Sequence, residues 1–148
     1  MRRLTTFAAP RRVLVLVLGL TFGACGGGGS SSSVTAPSAT VAVTTESFTG
    51  TVTVGGSDSH NFTVALANGQ LNATLTAAGP PSTIYMGLGL GAPSGSTCTL
   101  ITGASLVTQA SATAQLSGTA AAGTFCVMVY DAGNQTADIT YAVTVNHF

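Results

Sequence analysis

The chain has 148 residues, which is enough for one ordinary domain, and its formal net charge is zero. The four basic residues all lie within the first twelve positions, whereas the four acidic residues all lie after them. The rest of the chain therefore lacks the cations that neutralise phosphate groups. This composition predicts that the protein has no nucleic-acid partner and no electrostatic attachment to anionic lipid head groups.

Residues 1–24 have the three parts of an export signal. A basic segment ends at Arg12, an apolar run follows over residues 13–20, and small residues precede Cys25. The apolar run is much shorter than the roughly 20 residues that a membrane-spanning helix needs. The arrangement predicts a signal peptide, and the alternatives are an uncleaved anchor or a buried helix.

The segment Phe22-Gly23-Ala24-Cys25 resembles the lipobox of bacterial lipoproteins. In that family the cysteine thiol is acylated and the signal is cut just before it, so the resemblance implies a lipid on Cys25. Phe22 departs from the family pattern, in which Leu is usual at this position. Gly26, in place of Asp, resembles the outer-membrane address of Gram-negative lipoproteins. The alternative is that Cys25 is an incidental cysteine after an ordinary cleavage site.

Residues 26–40 are rich in Gly, Ser, Thr and Ala, which predicts a flexible tether. A tether of this length has a root-mean-square reach of roughly 20 Å. We therefore divide the chain into a lipoprotein signal peptide (1–24), a lipidated cysteine with a linker (25–40) and a folded domain (41–148).

From residue 41 onward, apolar and polar residues alternate in short runs that end at Gly, Pro or Asn. This period of two predicts seven or eight antiparallel strands and an all-β sandwich. Asn68-Gly69 predicts a hairpin between two of the strands. The pattern also predicts a strand over residues 112–116, and a loop or an edge strand over residues 103–110.

The folded domain contains two cysteines, Cys98 and Cys126. In an exported chain such a pair predicts a disulfide, and the alternative is two inert buried thiols. Cys126 has the opposite parity to Phe125 and Val127, which are expected to face the core. The bridge is therefore expected on an outer face or at a sheet edge.

The domain resembles the bacterial pre-peptidase C-terminal domain over about residues 44–146. The likeness lies in five short segments, which are residues 48–52, 58–64, 69–75, 123–131 and 141–145. The resemblance implies a jelly-roll-like β-sandwich, and it implies an accessory role beside secreted peptidases or in attachment to insoluble substrates. Some members bind calcium, but the acidic pair of their Asp-rich turn is reduced here to Asp58, which argues against a calcium site.

Few residues of the domain could carry chemistry. There is no nucleophile-elbow sequence and no zinc-ligand spacing, so the sequence predicts no enzyme, no cofactor and no metal site. We expect His60 and His147 to face solvent. Tyr85 and Tyr130 are expected to be exposed and are candidates for binding a protein or a glycan, the alternative being ordinary amphipathic strand residues.

Taken together, these features predict a non-catalytic protein that is lipid-anchored to the cell envelope, at the outer membrane. Its predicted function is that of a binding, adhesion or accessory module that recognises a protein or a glycan. The alternative is a structural or assembly lipoprotein of an outer-membrane or secretion complex.

Overall fold

The computed structural model describes residues 41–148. The predicted signal peptide, Cys25 and the tether all lie outside the described residues. Within them, no helix is long and apolar enough to cross a membrane. The strands of the described part are β1 (Thr44–Val52), β2 (Ser57–Val64), β3 (Gly69–Gly79), β4 (Met86–Ser94), β5 (Thr97–Thr108), β6 (Leu116–Ala120), β7 (Gly123–Asp131) and β8 (Ile139–His147).

The strands form two antiparallel sheets of four strands each. The first sheet has the order β1-β8-β3-β6, and the second has the order β2-β7-β4-β5. Successive strands lie in opposite sheets, except for β4 and β5, and this is the strand order of an eight-stranded jelly roll. The predicted antiparallel β-sandwich is confirmed.

The core lies between the two sheets and is built from the alternating residues of each strand. In β4, Met86, Leu88 and Leu90 point inward, while β8 contributes Ile139 and every second residue after it. Because successive side chains of a strand point to opposite faces, this alternation leaves the residues between them for the outer faces.

The hairpin predicted at Asn68-Gly69 is wrong. β2 pairs with β7 in the second sheet, whereas β3 pairs with β6 and β8 in the first. Asn68 does adopt a positive φ of 61°, and its N–H donates to the carbonyl of Ala120 at 2.7 Å. The dipeptide therefore forms a tight turn as expected, but the turn carries the chain from one sheet to the other.

The strand predicted over residues 112–116 is displaced, since β6 begins only at Leu116. Before β6, the side-chain amide of Gln115 makes the hydrogen bonds to the β3 backbone that a neighbouring strand would otherwise make. Its Oε1 accepts the N–H of Leu75 at 2.8 Å, and its Nε2 donates to the Leu75 carbonyl at 3.2 Å. For residues 103–110 the sequence predicted either a loop or an edge strand. Residues 103–108 form the end of β5, which is an edge strand.

The disulfide predicted between Cys98 and Cys126 is present, with Cα atoms 5.9 Å apart. The two cysteines belong to β5 and β7, which are separated in the sheet by β4. Strands two places apart would normally lie roughly 10 Å from each other. The end of the β4–β5 hairpin must therefore bend over the outer face of the second sheet. Cys126 lies on that face, as its parity predicted, but the bridge is buried there, with Cys126 0 % and Cys98 8 % exposed.

Loss of this bridge should destabilise the domain. Closing a loop between residues 28 positions apart contributes roughly 3.5 kcal/mol in the chain-entropy model, and losing a native disulfide from a small secreted domain costs about 2–5 kcal/mol. The double variant Cys98→Ser/Cys126→Ser should unfold at a lower urea concentration than the wild type. Its free energy of unfolding should be lower by an amount in that range. An unchanged unfolding midpoint, or two alkylatable thiols in the native wild-type protein, would contradict the bridge.

Candidate functional site

The outer face of β4 carries a row of glycines. Gly87, Gly89 and Gly91 alternate with the inward-pointing apolar residues of the strand, so their missing side chains would all have pointed outward. This row runs along an inner strand of the second sheet, where neighbouring strands can reach across it.

Each glycine of the row is covered by a group from another strand. A Cβ at Gly89 would crowd Leu100, and one at Gly91 would crowd the sulfur of Cys98 at 2.8 Å. The glycines thus leave the space into which the β4–β5 hairpin folds back. At Gly87 the covering group is the ring of Tyr130, from β7.

The ring of Tyr130 lies flat against the sheet. A Cβ at Gly87 would overlap three adjacent ring carbons, Cδ2, Cε2 and Cζ, at nearly equal distances. That geometry places the glycine under the face of the ring and not at its edge. One face of Tyr130 therefore packs on the backbone of β4, and the other face points away from the sheet.

Two further side chains lie on the same face of the second sheet as this ring. Val107 of β5 is the register partner of Gly87 on the side opposite Tyr130, and it is 54 % exposed. Tyr85 immediately precedes β4. It has the same parity as Gly87, so it points to the outer face, and it is 51 % exposed. We call the surface formed by Tyr85, Gly87, Val107 and Tyr130 the tyrosine platform.

A shallow cavity of about 340 Å³ opens beside the platform. Its lining includes Tyr130 and Asp131 at the end of β7 and the turn at Gly55-Gly56 that joins β1 to β2. One carboxylate oxygen of Asp131 accepts the N–H of Gly55 at 2.8 Å, and the other accepts N–H groups of the β7–β8 loop, the shortest from Gly133 at 2.7 Å. These backbone donors, first that of Gly55, hold the pKa of Asp131 below its usual value. Asp131 thereby fixes both loops next to Tyr130.

A second cluster lies between the sheets on the β1–β2 side of the sandwich. The Oη of Tyr141 donates to Oδ2 of Asp58 at 2.8 Å and accepts the Nε2–H of His60 at 2.9 Å. Phe48 stacks on the His60 ring with centroids 4.9 Å apart. The expectation that His60 faces solvent is wrong, because His60 has the same parity as the buried Phe62 and points between the sheets.

The surroundings of Tyr141 favour its neutral form. Burial raises the pKa of Tyr141, and the hydrogen bond to Asp58 and the negative charge of that carboxylate raise it further. Gly50, the register partner of Tyr141, makes room for this pair, because a Cβ there would overlap Oδ2 of Asp58 and crowd Oη of Tyr141.

The expectation that His147 faces solvent is also wrong, since His147 is only 3 % exposed. Its Nε2 donates to Oε1 of Glu46 at 2.9 Å, and its ring lies 5.6 Å from that of Phe62. The Nδ1 atom of His147 is buried without a hydrogen-bond partner. Each histidine of the described domain therefore hydrogen-bonds to a side chain of another strand, His60 to Tyr141 and His147 to Glu46.

These hydrogen bonds join strands of the sandwich. Both oxygens of Asp58 accept hydrogen bonds, from Tyr141 and from the N–H of Ser59. Within residues 41–148, no three His, Cys, Asp or Glu side chains are grouped as metal ligands.

The two tyrosines predicted as binding residues lie on the same outer face, Tyr85 exposed and Tyr130 half-buried on its glycine. Sequence reasoning missed Gly87 and Val107. The alternation of Gly with large apolar residues over residues 86–91 was a signal for a bare outer face. The partner strands that cover it, however, could not be read from the sequence.

No family model and no curated protein matches the chain. Among solved structures, it is similar to a crystal structure of Aeromonas hydrophila PliG, a periplasmic lysozyme inhibitor of g-type lysozyme. The alignment has 13 % sequence identity and a TM-score of 0.44, and it covers 70 % of this chain and 86 % of that one. A similarity of this size says nothing about function.

The stability contributed by Tyr141 should depend on pH. Because its pKa is raised above the value of about 10 in an unfolded chain, its contribution is fully present below pH 10 and declines as the pH rises further. Tyr141→Phe should lower the free energy of unfolding at pH 7 by about 1–3 kcal/mol, since Asp58 loses a donor. Above pH 10 the free energy of unfolding of the wild type should fall towards that of Tyr141→Phe.

Urea unfolding between pH 6 and pH 12 measures both effects. Tyr85→Phe changes an exposed phenol and should reproduce the wild-type curve. Parallel curves for the wild type and Tyr141→Phe across the whole range would show that Tyr141 is not held in its neutral form.

Proposed function

We propose that the protein is a non-catalytic binding module of the bacterial cell envelope. It is exported by residues 1–24, held at the outer membrane by a lipid on Cys25, and recognises its ligand with the tyrosine platform. One observation carries the assignment of the platform. The half-buried ring of Tyr130 lies flat on Gly87 with its other face turned away from β4, on the same surface as the exposed Tyr85 and Val107.

Export is supported by the disulfide as well as by the N-terminal pattern. Structural disulfides persist in oxidising compartments such as the periplasm and the cell surface. The bridge between Cys98 and Cys126 fastens the hairpin that covers the glycine row. The proposed destination and the structure of this face are therefore consistent with each other.

The absence of catalysis is supported by where the ionisable side chains lie. Both histidines of the described domain are hydrogen-bonded to neighbouring side chains inside the sandwich. A general base needs to reach the proton that it removes from a substrate. His147 is buried, and His60 already donates to Tyr141.

The resemblance to the pre-peptidase C-terminal domain remains part of this proposal. The jelly-roll strand order agrees with the fold that the resemblance implies. In that case the module serves attachment, either of the cell or of a secreted partner, to an external ligand.

The lipid anchor can be tested at Cys25. Cys25→Ser should move the protein from the membrane fraction to the soluble fraction or leave it unprocessed, because stable anchoring requires acyl chains. Phe22→Leu, which restores the usual lipobox residue, should remain in the membrane fraction and serve as the matched control. A Cys25→Ser protein that is processed and sediments with membranes like the wild type would refute the anchor.

The platform can be tested in intact cells with a photo-crosslinking phenylalanine analogue. At Tyr85 it should form ultraviolet-dependent adducts, since this side chain is exposed at the edge of the platform. At Thr49, which is exposed on the outer face of the first sheet, it should form few. Equal adducts at the two positions, or none at Tyr85, would contradict recognition through the platform.

A further inference from the structure

We propose that the tyrosine platform binds an uncharged carbohydrate, with one sugar ring stacked on the free face of Tyr130. This inference rests on the proposed function and names the chemical class of its ligand.

The first argument is the orientation of the Tyr130 ring. The face of an aromatic ring carries partial negative charge, and the C–H groups on one side of a sugar ring are weakly positive and apolar, so the two faces attract when they stack. Stacking requires a ring whose face, and not its edge, is presented to the ligand. Gly87 provides this by supporting the ring from below. Because the ring is already held in place, binding costs little side-chain entropy.

The second argument is charge. There is no Lys or Arg after residue 12, so the platform has no cation with which to pair an acidic sugar or a phosphate. Asp131 follows Tyr130 directly in the chain, and its carboxylate is negatively charged at neutral pH. An anionic ligand would be repelled, whereas a neutral hydroxylated ligand would not.

The third argument is the shape of the surface. Tyr130, Gly87 and Val107 form one row across three neighbouring strands, β7, β4 and β5. Such a row spans roughly 10 Å, which gives room for more than one sugar ring. Tyr85 extends the surface along β4, beyond Gly87. The platform is open and shallow, which suits a polysaccharide chain better than a small compact ligand.

The apolar groove between the edge strands β5 and β6 is a separate feature and provides a control. This cavity of about 330 Å³ is lined by Ile101, Leu116 and Phe125 among others, and it contains none of the platform residues. Ile101 is an exposed large apolar residue like Val107. A ligand that binds through general surface hydrophobicity would respond to changes at either residue.

The test uses the detergent-extracted full-length protein and calorimetric titration with soluble polysaccharides. The uncharged probes are dextran, laminarin, xyloglucan and galactomannan, and the acidic probe is polygalacturonate. We expect at least one uncharged polymer to bind and polygalacturonate not to bind. Tyr130→Phe should keep the affinity within about twofold, whereas Tyr130→Leu, which keeps apolar bulk but loses the ring, should weaken it about tenfold.

Gly87→Ala should also weaken binding, because the added methyl group displaces the Tyr130 ring. Its matched control is Gly118→Ala in β6, where a Cβ meets nothing within 4 Å. Ile101→Ala should bind like the wild type. If Gly87→Ala does not fold, the comparison of Tyr130→Leu with Tyr130→Phe decides the question alone.

Three results would overturn the inference. These are no binding of any uncharged polymer, equal binding of polygalacturonate, or an unchanged affinity in Tyr130→Leu. If the Tyr85 adducts still form in cells, any of these results leaves the proposed recognition surface standing and rejects only its carbohydrate ligand. If those adducts are also absent, both the carbohydrate ligand and the proposed function are rejected.

Discussion

The row of glycines on the outer face of β4 is the constraint on which the organisation of the second sheet depends. Because Gly89 and Gly91 have no side chains, the β4–β5 hairpin can fold back over its own sheet. That fold brings Cys98 within bridging distance of Cys126, although β4 lies between their strands. The same row provides the flat surface on which Tyr130 lies. The disulfide and the tyrosine platform are therefore two consequences of one pattern in β4.

In contrast to the glycine row on the outer face, the space between the sheets contains most of the ionisable groups of the domain. Burying a charge is costly unless it is paired and hydrogen-bonded. Asp58, Tyr141 and His60 satisfy this requirement by joining β2 of the second sheet to β8 of the first. We expect this polar cluster to favour one alignment of the two sheets, because hydrogen bonds are directional and apolar contacts are not. With these groups turned inward, the outer surface keeps few charges.

The sequence predicted the sandwich because a period of two in many short runs depends only on local alternation. It also predicted the outer position of the Cys98–Cys126 bridge from the parity of one residue. It failed where the outcome depended on partners distant in the chain. Asn68-Gly69 specified a turn but not the sheet that β3 would join, and His60 was polar enough to be expected in solvent. His60 shares the parity of Phe62 and points inward, where it contacts Phe48 and Tyr141, which lie far from it in the chain.

The glycines of this row lower the stability of β4, so each of them needs a structural reason. Glycine in the interior of a strand costs roughly 0.5–1 kcal/mol relative to Ala, and β-branched residues would be favoured there. Gly91 is accounted for by the hairpin and its disulfide, and Gly89 by the side chain of Leu100. Gly87 lies further from the hairpin tip, and what covers it is a half-buried ring that a rotamer change could move aside. A larger residue at this position would let β4 pair as before and would only lift Tyr130 from the sheet. The cost at Gly87 therefore serves chiefly to hold one aromatic face flat and outward, as the proposed recognition of a ligand requires.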